Sequence, residues 1–489
     1  MEKNIQKPSL KKQATFLLLG RLIALGIGFF STILLVRILP VAQYGLYQQI
    51  LFVLAMLSVL TSLRIPQSLY YFFPRVEDKH DNLISQSLSV LAVISLSCAV
   101  IFYILCRYFG ILPTEITEDY FLPICIYVMI GGCALLLDHI FILEKKSKFV
   151  PILTTCNAVV RVIFVVGTVL LFRSILAVIY ALVFFVALRL LFLLAYLLKR
   201  YSIRFGISDV KLLVKQIRYC LPLSGSAIIG MIGTYFEKVV LMILMSATDF
   251  AVYSVGGLRI VNPATLLYTS VGNVSVIRFG ELAIQKDFEG IKLLWAKMVT
   301  INAMLTIPLV FFCFVFSEQI IILLYTDKYI ESTIIFRINL FVLLAQMLGY
   351  GYIPLAMGRT KAIMLGNALR ATFTVAGSFF LIKYLGIIGG AIVFVVGFWI
   401  NAMVQLHAAK KAIKMSLREI FPWKKLCIIS LLSGVAVWLS QNVMRFDLSS
   451  FNSLLIAALI YFSIMLIGLK FLGYLDIGSI RKYVNEMIR

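Results

Sequence analysis

The sequence predicts an all-α polytopic membrane protein of about 14 transmembrane helices, organised as two six-helix lobes plus two C-terminal helices. Three observations carry that prediction. Of 489 residues, 62% are hydrophobic and 14% charged, where a soluble domain would carry roughly a quarter charged. Apolar runs of about 20 residues, long enough to cross a bilayer as helix, recur from end to end. The basic residues behind the net charge of +23 fall in short loops between those runs, the excess that cytoplasmic loops should show. That distribution removes the nucleic-acid reading so basic a chain would otherwise invite, because no single domain face gathers the charge. Nothing alternates with period two strongly enough for an outer-membrane barrel.

The first apolar run, Phe16 to Val36, follows the basic segment MEKNIQKPSLKKQ. It is too long for a signal-peptide core and no small-x-small cleavage site follows, so it reads as the first span. Runs at 15–38, 44–73, 84–107, 120–143, 150–172 and 174–198 make an N-lobe, 1–198. A cytoplasmic linker, 199–218, contains ISDVKLLVKQIR. Ile207, Val210, Leu213, Val214 and Ile217 share one helical face there, with basic residues opposite, the pattern of a helix lying in the membrane interface. A C-lobe, 219–409, has spans at 219–246, 250–279, 296–317, 331–357, 361–383 and 388–409. A second basic linker, 410–425, precedes the last two spans, 426–443 and 452–470, and a cytoplasmic tail reaching 489.

Two stretches rhyme across the lobes. ILPVAQYGLYQQI (Ile38 to Ile50) aligns without a gap on LMSATDFAVYSVG (Leu244 to Gly256), placing Tyr44 on Phe250 and Tyr47 on Tyr253. Both read as an apolar helix, a short turn of small and polar residues, then a helix opening on aromatics. They are expected to be equivalent hairpins of two duplicated halves, the repeat organisation common in transporters.

Orientation follows from Lys and Arg. Loops on the N-terminal side hold about 30, including Lys145, Lys146, Lys148 and the two linkers, against about five opposite (Arg107, Arg173, Lys328, Lys383, Arg445), so both termini are expected in the cytoplasm. The longest outer loops, 108–119 and 318–330, are too short to build an external domain. The eight cysteines lie nearly all in apolar runs without a CxxC pair. They read as small core residues, with neither a disulfide framework nor a metal site implied. His80, His139 and His407 bring no second ligand at metal spacing. No GxxxxGK[ST] loop points to an ATP-driven pump, and no nucleophile–base set points to an enzyme.

The spans themselves carry charge. Arg21, Arg37, Arg64, Arg161, Arg189, Lys238, Arg259, Arg278, Arg337 and Arg370 lie within them, while buried acids are scarce, chiefly Asp138 and Glu237. A central Arg costs about 2.5–3.5 kcal/mol on insertion and each Leu or Ile returns about 0.3–0.6, so one charge per span is tolerated. Arg37, Arg278 and Arg337 sit near span ends and can snorkel to head groups. Arg64, Arg161, Arg189, Arg259 and Arg370 fall deeper. They either bond carbonyls and the two acids within the bundle or face a shared cavity as a site for an anion, with Arg suited to phosphate by its planar fork. Arg21 joins Arg64 in the cytoplasmic half of spans 1 and 2, which makes a ladder a charged head group could follow. Pro66 and Pro263 would open the backbone beside Arg64 and Arg259 or simply kink it. Glu237 and Lys238, being adjacent, point about 100° apart. Glu237 and Asp138 are the plausible sites for a coupled proton or Na⁺, or else counter-ions for an Arg.

At these residues the chain resembles a known family. LLLGRLIALGIGFFSTILLVRILPVAQYGLYQQ is similar to the first hairpin of the polysaccharide (O-antigen and capsule repeat-unit) flippases, and YFEKVVLMILMSATDFAVYSVGGLRI to their seventh and eighth spans. The six-six-two organisation is that of the multidrug/oligosaccharidyl-lipid/polysaccharide exporter superfamily. The resemblance implies two lobes alternating between inward and outward openings in a bacterial cytoplasmic membrane. It also implies a substrate of sugars on polyprenyl pyrophosphate, turned from the cytoplasmic to the outer leaflet. Lipid II flippases of the superfamily use cavity arginines on the first, second and eighth helices, which here carry Arg21, Arg64 and Arg259. Implied further are no cofactor beyond a proton or sodium gradient, partners among polysaccharide polymerase and chain-length proteins, and no nucleic acid. The last two spans would help form a groove for the prenyl tail. A lipid II flippase and a multidrug cation exporter are the alternatives; the second would want an acidic cavity, and these spans are basic.

Overall fold

A computed structural model describes residues 10–76, 80–110, 114–144, 149–202, 206, 209–257, 262–442 and 450–474. Among the described residues every regular element is a helix. In hydrocarbon no water satisfies a free peptide group, and a helix pairs its backbone within one segment. Eleven described helices are long and apolar enough to cross a membrane. Their outer faces carry exposed large side chains such as Leu171, Leu293 and Phe471, the surface a lipid-embedded body presents. The protein is a multi-pass membrane protein.

The chain divides into two compact units. One takes in residues up to Met231 together with Ser246–Ala251. It holds α1 (Leu10–Ile38), α2 (Val41–Ser62), α3 (Ile65–Phe72), α4 (His80–Phe109), α5 (Thr114–Asp119), α6 (Phe121–Ala134), α7 (Leu136–Leu143), α8 (Phe149–Phe172), α9 (Ile175–Arg200) and the first part of α10 (Val210–Leu244). Here α1 packs along α8, while α6 packs against α2, α4 and α9. Leu69, Leu83, Leu88, Leu136, Ile140, Leu193 and Leu197 form a buried core.

The other unit contains Ile232–Met245 and everything from Val252 on. After α11 (Ala247–Val255), which the two units share, come α12 (Asn262–Ile284), α13 (Phe288–Val315), α14 (Ser317–Tyr325), α15 (Ser332–Met347), α16 (Tyr352–Ala356), α17 (Thr360–Ile413), α18 (Leu417–Ile420), α19 (Trp423–Gln441) and α20 (Ser450–Phe471). Helix α13 is central, touching α12, α15, α19 and α20. Trp295, Met298, Phe312, Phe336, Leu340 and Tyr461 are buried around it. The C-terminal pair is tied in by the Tyr461 hydroxyl, which donates to the Pro308 carbonyl at 2.9 Å. That carbonyl belongs to the polar backbone of a helix containing an internal proline.

Most expected spans fall largely on helix, although 120–143 and 331–357 are each made of two helices, α6 with α7 and α15 with α16. The span expected at 44–73 is broken: Leu63 and Arg64 both have positive φ, and α3 restarts with Pro66 in its first turn. Proline disfavours the α region for the residue before it but is welcome at a helix start. Arg64 therefore sits, half-buried, at a break within the span, beside the proline expected to open the backbone there. Pro263 likewise occupies the second position of α12, where a missing N–H leaves nothing unpaired. The interfacial helix expected over 207–218 and the seventh span are one helix, α10, of 35 residues. Of its expected apolar face, Leu213 is buried, but Val210 and Val214 are exposed. The buried line runs instead through Leu213, Gln216 and Cys220, because the Gln216 amide donates to Ser68 Oγ and Ser87 Oγ, both at 2.9 Å. A buried amide without such partners would be strongly unfavourable.

The rhyming hairpins agree in their ends. Helix α1 stops at Ile38 and α2 starts at Val41, and α10 stops at Leu244 and α11 starts at Ala247, which are equivalent positions of the gapless alignment. Tyr44, Tyr47, Phe250 and Tyr253 are all buried. The SATD corner is held by a reciprocal cap: Ser246 N and Oγ donate to Asp249 Oδ2 at 3.1 and 2.7 Å, and Asp249 N donates to Ser246 Oγ at 3.1 Å. This is a capping box with Asp in the place usually held by Glu or Gln.

Helix α17 shows how length forces topology. Its 54 residues would reach about 80 Å if straight, against a hydrocarbon core of about 30 Å. It is two helices joined at Gly386 (φ 56, ψ −138), as the expected spans 361–383 and 388–409 require. The halves run back on each other with Gly366 against Asn401, Gly377 against Val393 and Gly397 against Arg370 and Thr374. At Gly386 only a residue without Cβ holds the backbone without strain. Gly386→Ala should cost about 1–3 kcal/mol and lower the thermal unfolding midpoint of the purified protein in detergent. An unchanged midpoint would mean the reversal tolerates a side chain.

Candidate functional site

The second unit buries a pair of opposite charges. Helix α10 approaches the first half of α17 closely where Gly233 meets the Ala371 backbone, and Thr374 Oγ1 donates to the Gly233 carbonyl at 3.3 Å. One turn further along α10, on the same face, lies Glu237, fully buried. Arg370, beside Ala371, is 7% exposed and lies within electrostatic reach of Glu237, Tyr235 and Tyr350. Its guanidinium carbon stands 3.8 Å from the centroid of the Phe398 ring, a cation–π contact from the returning half of α17. Neither carboxylate oxygen of Glu237 has a hydrogen-bond partner among the described residues, and neither do Nε and Nη2 of Arg370. The charges thus compensate each other through space, while each keeps free donors or acceptors.

A polar wall continues from this pair. Asn401 neighbours the Tyr350 side chain, and the Gln405 amide donates to Asn401 Oδ1 at 2.8 Å; Asn401 and Gln405 are both buried. Lys238 lies 5.4 Å from the Tyr235 ring centroid, and Tyr253 is within electrostatic reach of Glu237. An unpaired buried guanidinium is costly in any protein interior. Such a fork can take two oxygens of a phosphate or carboxylate, and such a carboxylate can take a proton or a cation.

The first unit treats its charges differently. Arg189 donates from Nη2 to Asp138 Oδ2 at 2.9 Å, so Asp138 is the counter-ion of an Arg here. Arg189 also lines a cavity of about 210 Å3 with Asn157, Cys156 and Phe185. Arg161 is exposed on α8, with no ion pair among the described residues. Arg64 presents its backbone more than its head, the carbonyl accepting from Cys220 Sγ at 3.7 Å. The Arg21 side chain and Arg259 lie outside the described residues.

The family model described as "Polysaccharide biosynthesis protein" matches residues 10–282, more than half of the chain. The chain belongs to the polysaccharide biosynthesis protein family. No curated protein matches it by sequence. Among solved structures, it is similar to the lipid II flippase MurJ in an inward closed conformation, at 15% identity and a TM-score of 0.73, covering 93% of this chain and 98% of that one. It is similar to an inward-facing MATE multidrug resistance transporter of the MOP superfamily, at 17% identity and 0.60, covering 79% and 94%. A MOP superfamily transporter from Pyrococcus furiosus matches at 18% and 0.53, covering 83% and 96%. This member of the polysaccharide biosynthesis family therefore has the fold shared by MurJ and the MATE transporters.

Of the residues singled out in the sequence, the fold brings Glu237, Lys238 and Arg370 into one neighbourhood and Asp138 and Arg189 into another. The wall of Tyr350, Asn401, Gln405 and Phe398 did not emerge from the sequence, although Asn401 and Gln405 stand one helical turn apart in an apolar run, a spacing that marks a shared polar face. If Glu237 and Arg370 stabilise each other, Arg370→Met should destabilise more than Glu237→Gln, and the double variant should recover part of the loss. Thermal unfolding of the four proteins would read a coupling of about 0.5–3 kcal/mol. Strict additivity would mean that the two charges do not interact.

Proposed function

We propose that this protein is a flippase that turns polyprenyl-pyrophosphate-linked oligosaccharide repeat units from the cytoplasmic to the outer leaflet by alternating access of its two six-span lobes. The observation that carries the reading is Arg370, a buried guanidinium with two nitrogens free of protein acceptors, in a chain of the polysaccharide biosynthesis family. A glycan head cannot cross hydrocarbon unaided and needs a polar path, whereas the prenyl tail can stay in lipid. A pyrophosphate offers the paired oxygens an arginine fork binds best. Arg21, Arg64, Arg161, Arg189, Lys238 and Arg259 are the further residues assigned to the anionic head. Glu237 is the coupling site for a proton or sodium ion. The protein sits in the bacterial cytoplasmic membrane with both termini inside, supported by the concentration of Lys and Arg on that side. The polymerase and chain-length proteins that use the flipped unit are its natural partners.

A second reading, a lipid II flippase, is favoured by the similarity to MurJ over 93% of this chain; its substrate shares the prenyl pyrophosphate. Depleting the protein separates the two. The repeat-unit reading expects a polyprenyl-diphosphate oligosaccharide to accumulate and surface glycan to disappear while peptidoglycan synthesis continues. Accumulation of lipid II instead would replace it with the second reading, and accumulation of neither would end both. Arg370→Lys keeps the charge but loses the fork, so it should cut surface glycan about tenfold or more, the effect of one charge-assisted hydrogen bond, at unchanged protein level in the membrane.

A further inference from the structure

The second unit carries another concave site, at the end of α17 that both its halves share. The register that sets Gly366 against Asn401 and Gly397 against Arg370 brings the first residues of α17 beside its last turns. There they line a groove of about 770 Å3 with the Gly358–Arg359 turn, within the range of small-molecule sites. Four basic residues line it, Arg359 and Lys361 from one end of the helical hairpin and His407 and Lys411 from the other. None of the four is ion-paired among the described residues, and no carboxylate lines the groove. Its floor is apolar, with Leu365 and Met403, both more than half exposed. The backbone N–H groups opening α17 add the positive end of a helix dipole.

A basic rim over an apolar floor recognises an amphiphile with a negative head. The geometry points to a binding site for an anionic phospholipid of the surrounding bilayer, its phosphate among Arg359, Lys361 and Lys411 and the upper part of its chains along Leu365 and Met403. The partner is lipid and not a soluble anion because the exposed floor residues would otherwise face water, and juxtamembrane Lys and Arg attract anionic head groups strongly. The site is separate from the Glu237–Arg370 pair and does not depend on what the protein transports. An occupied groove ties the two halves of α17 together at their open end, opposite the Gly386 reversal.

The full-length purified protein would be examined by native mass spectrometry with phosphatidylglycerol or phosphatidylcholine added. The wild type should retain phosphatidylglycerol at least about tenfold better than phosphatidylcholine, and the triple variant R359Q/K361Q/K411Q should lose that preference. A control triple, K211Q/K215Q/R218Q, removes the same charge from the other unit and should keep it. Met403→Trp fills the floor with every cation intact and should also weaken retention, which tests the site should the groove triple fail to fold. Undiminished preference in the groove triple, or equal loss in both triples, would overturn the site. Inorganic phosphate forms the remaining arm: displacement of phosphatidylglycerol at equal concentration would reassign the groove to a free anion and overturn the lipid.

Discussion

The close approach of α10 to α17 is the contact on which the interior chemistry of the second unit depends. Gly233 lets the α10 backbone come against Ala371, and the absence of a side chain at Gly397 leaves room for the stem of Arg370. Lipid tails are as apolar as leucine, so helices in a membrane gain little from hydrophobic burial against one another. They associate through close packing of small residues and through polar contacts. Both are present here, the second as Thr374 bonding the Gly233 carbonyl. With wider spacing, Glu237 and Arg370 would each face a gap instead of the other.

The buried and half-buried arginines differ in what they bond. Arg189 donates from Nη2 to Asp138, and Arg337 donates from Nε to the Phe314 carbonyl and Ser317 hydroxyl. Arg370 has an aromatic face and a carboxylate in reach, yet two of its nitrogens remain free. An ion pair that forms no hydrogen bond is poor at stabilising a fold, because desolvation of each charge is not matched by directed contacts.

The span pattern, the reversal within 361–409 and the paired hairpins were legible in the sequence. Each depends on local composition: apolar length, a glycine between two runs, a serine and an aspartate three apart at a corner. The break at Leu63 and Arg64 falls just ahead of Pro66, the residue whose ring the sequence marks as opening or kinking the backbone there. Gln216 carried no signal in the sequence because its partners, Ser68 and Ser87, are far away along the chain.

By itself the sequence determined that the chain is a helical multi-pass membrane protein, since a segment's fate in a bilayer follows from its own hydropathy. It also named Glu237 and Arg370 as charges needing an explanation. Only the tertiary structure decided that those two share a neighbourhood while Asp138 goes to Arg189, and that Tyr350, Asn401 and Gln405 complete the wall. The reason is physical: insertion cost is a sum over one helix, but pairing depends on which helices touch, and that is set by small residues whose contacts lie more than a hundred positions apart, as Gly233 and Thr374 do.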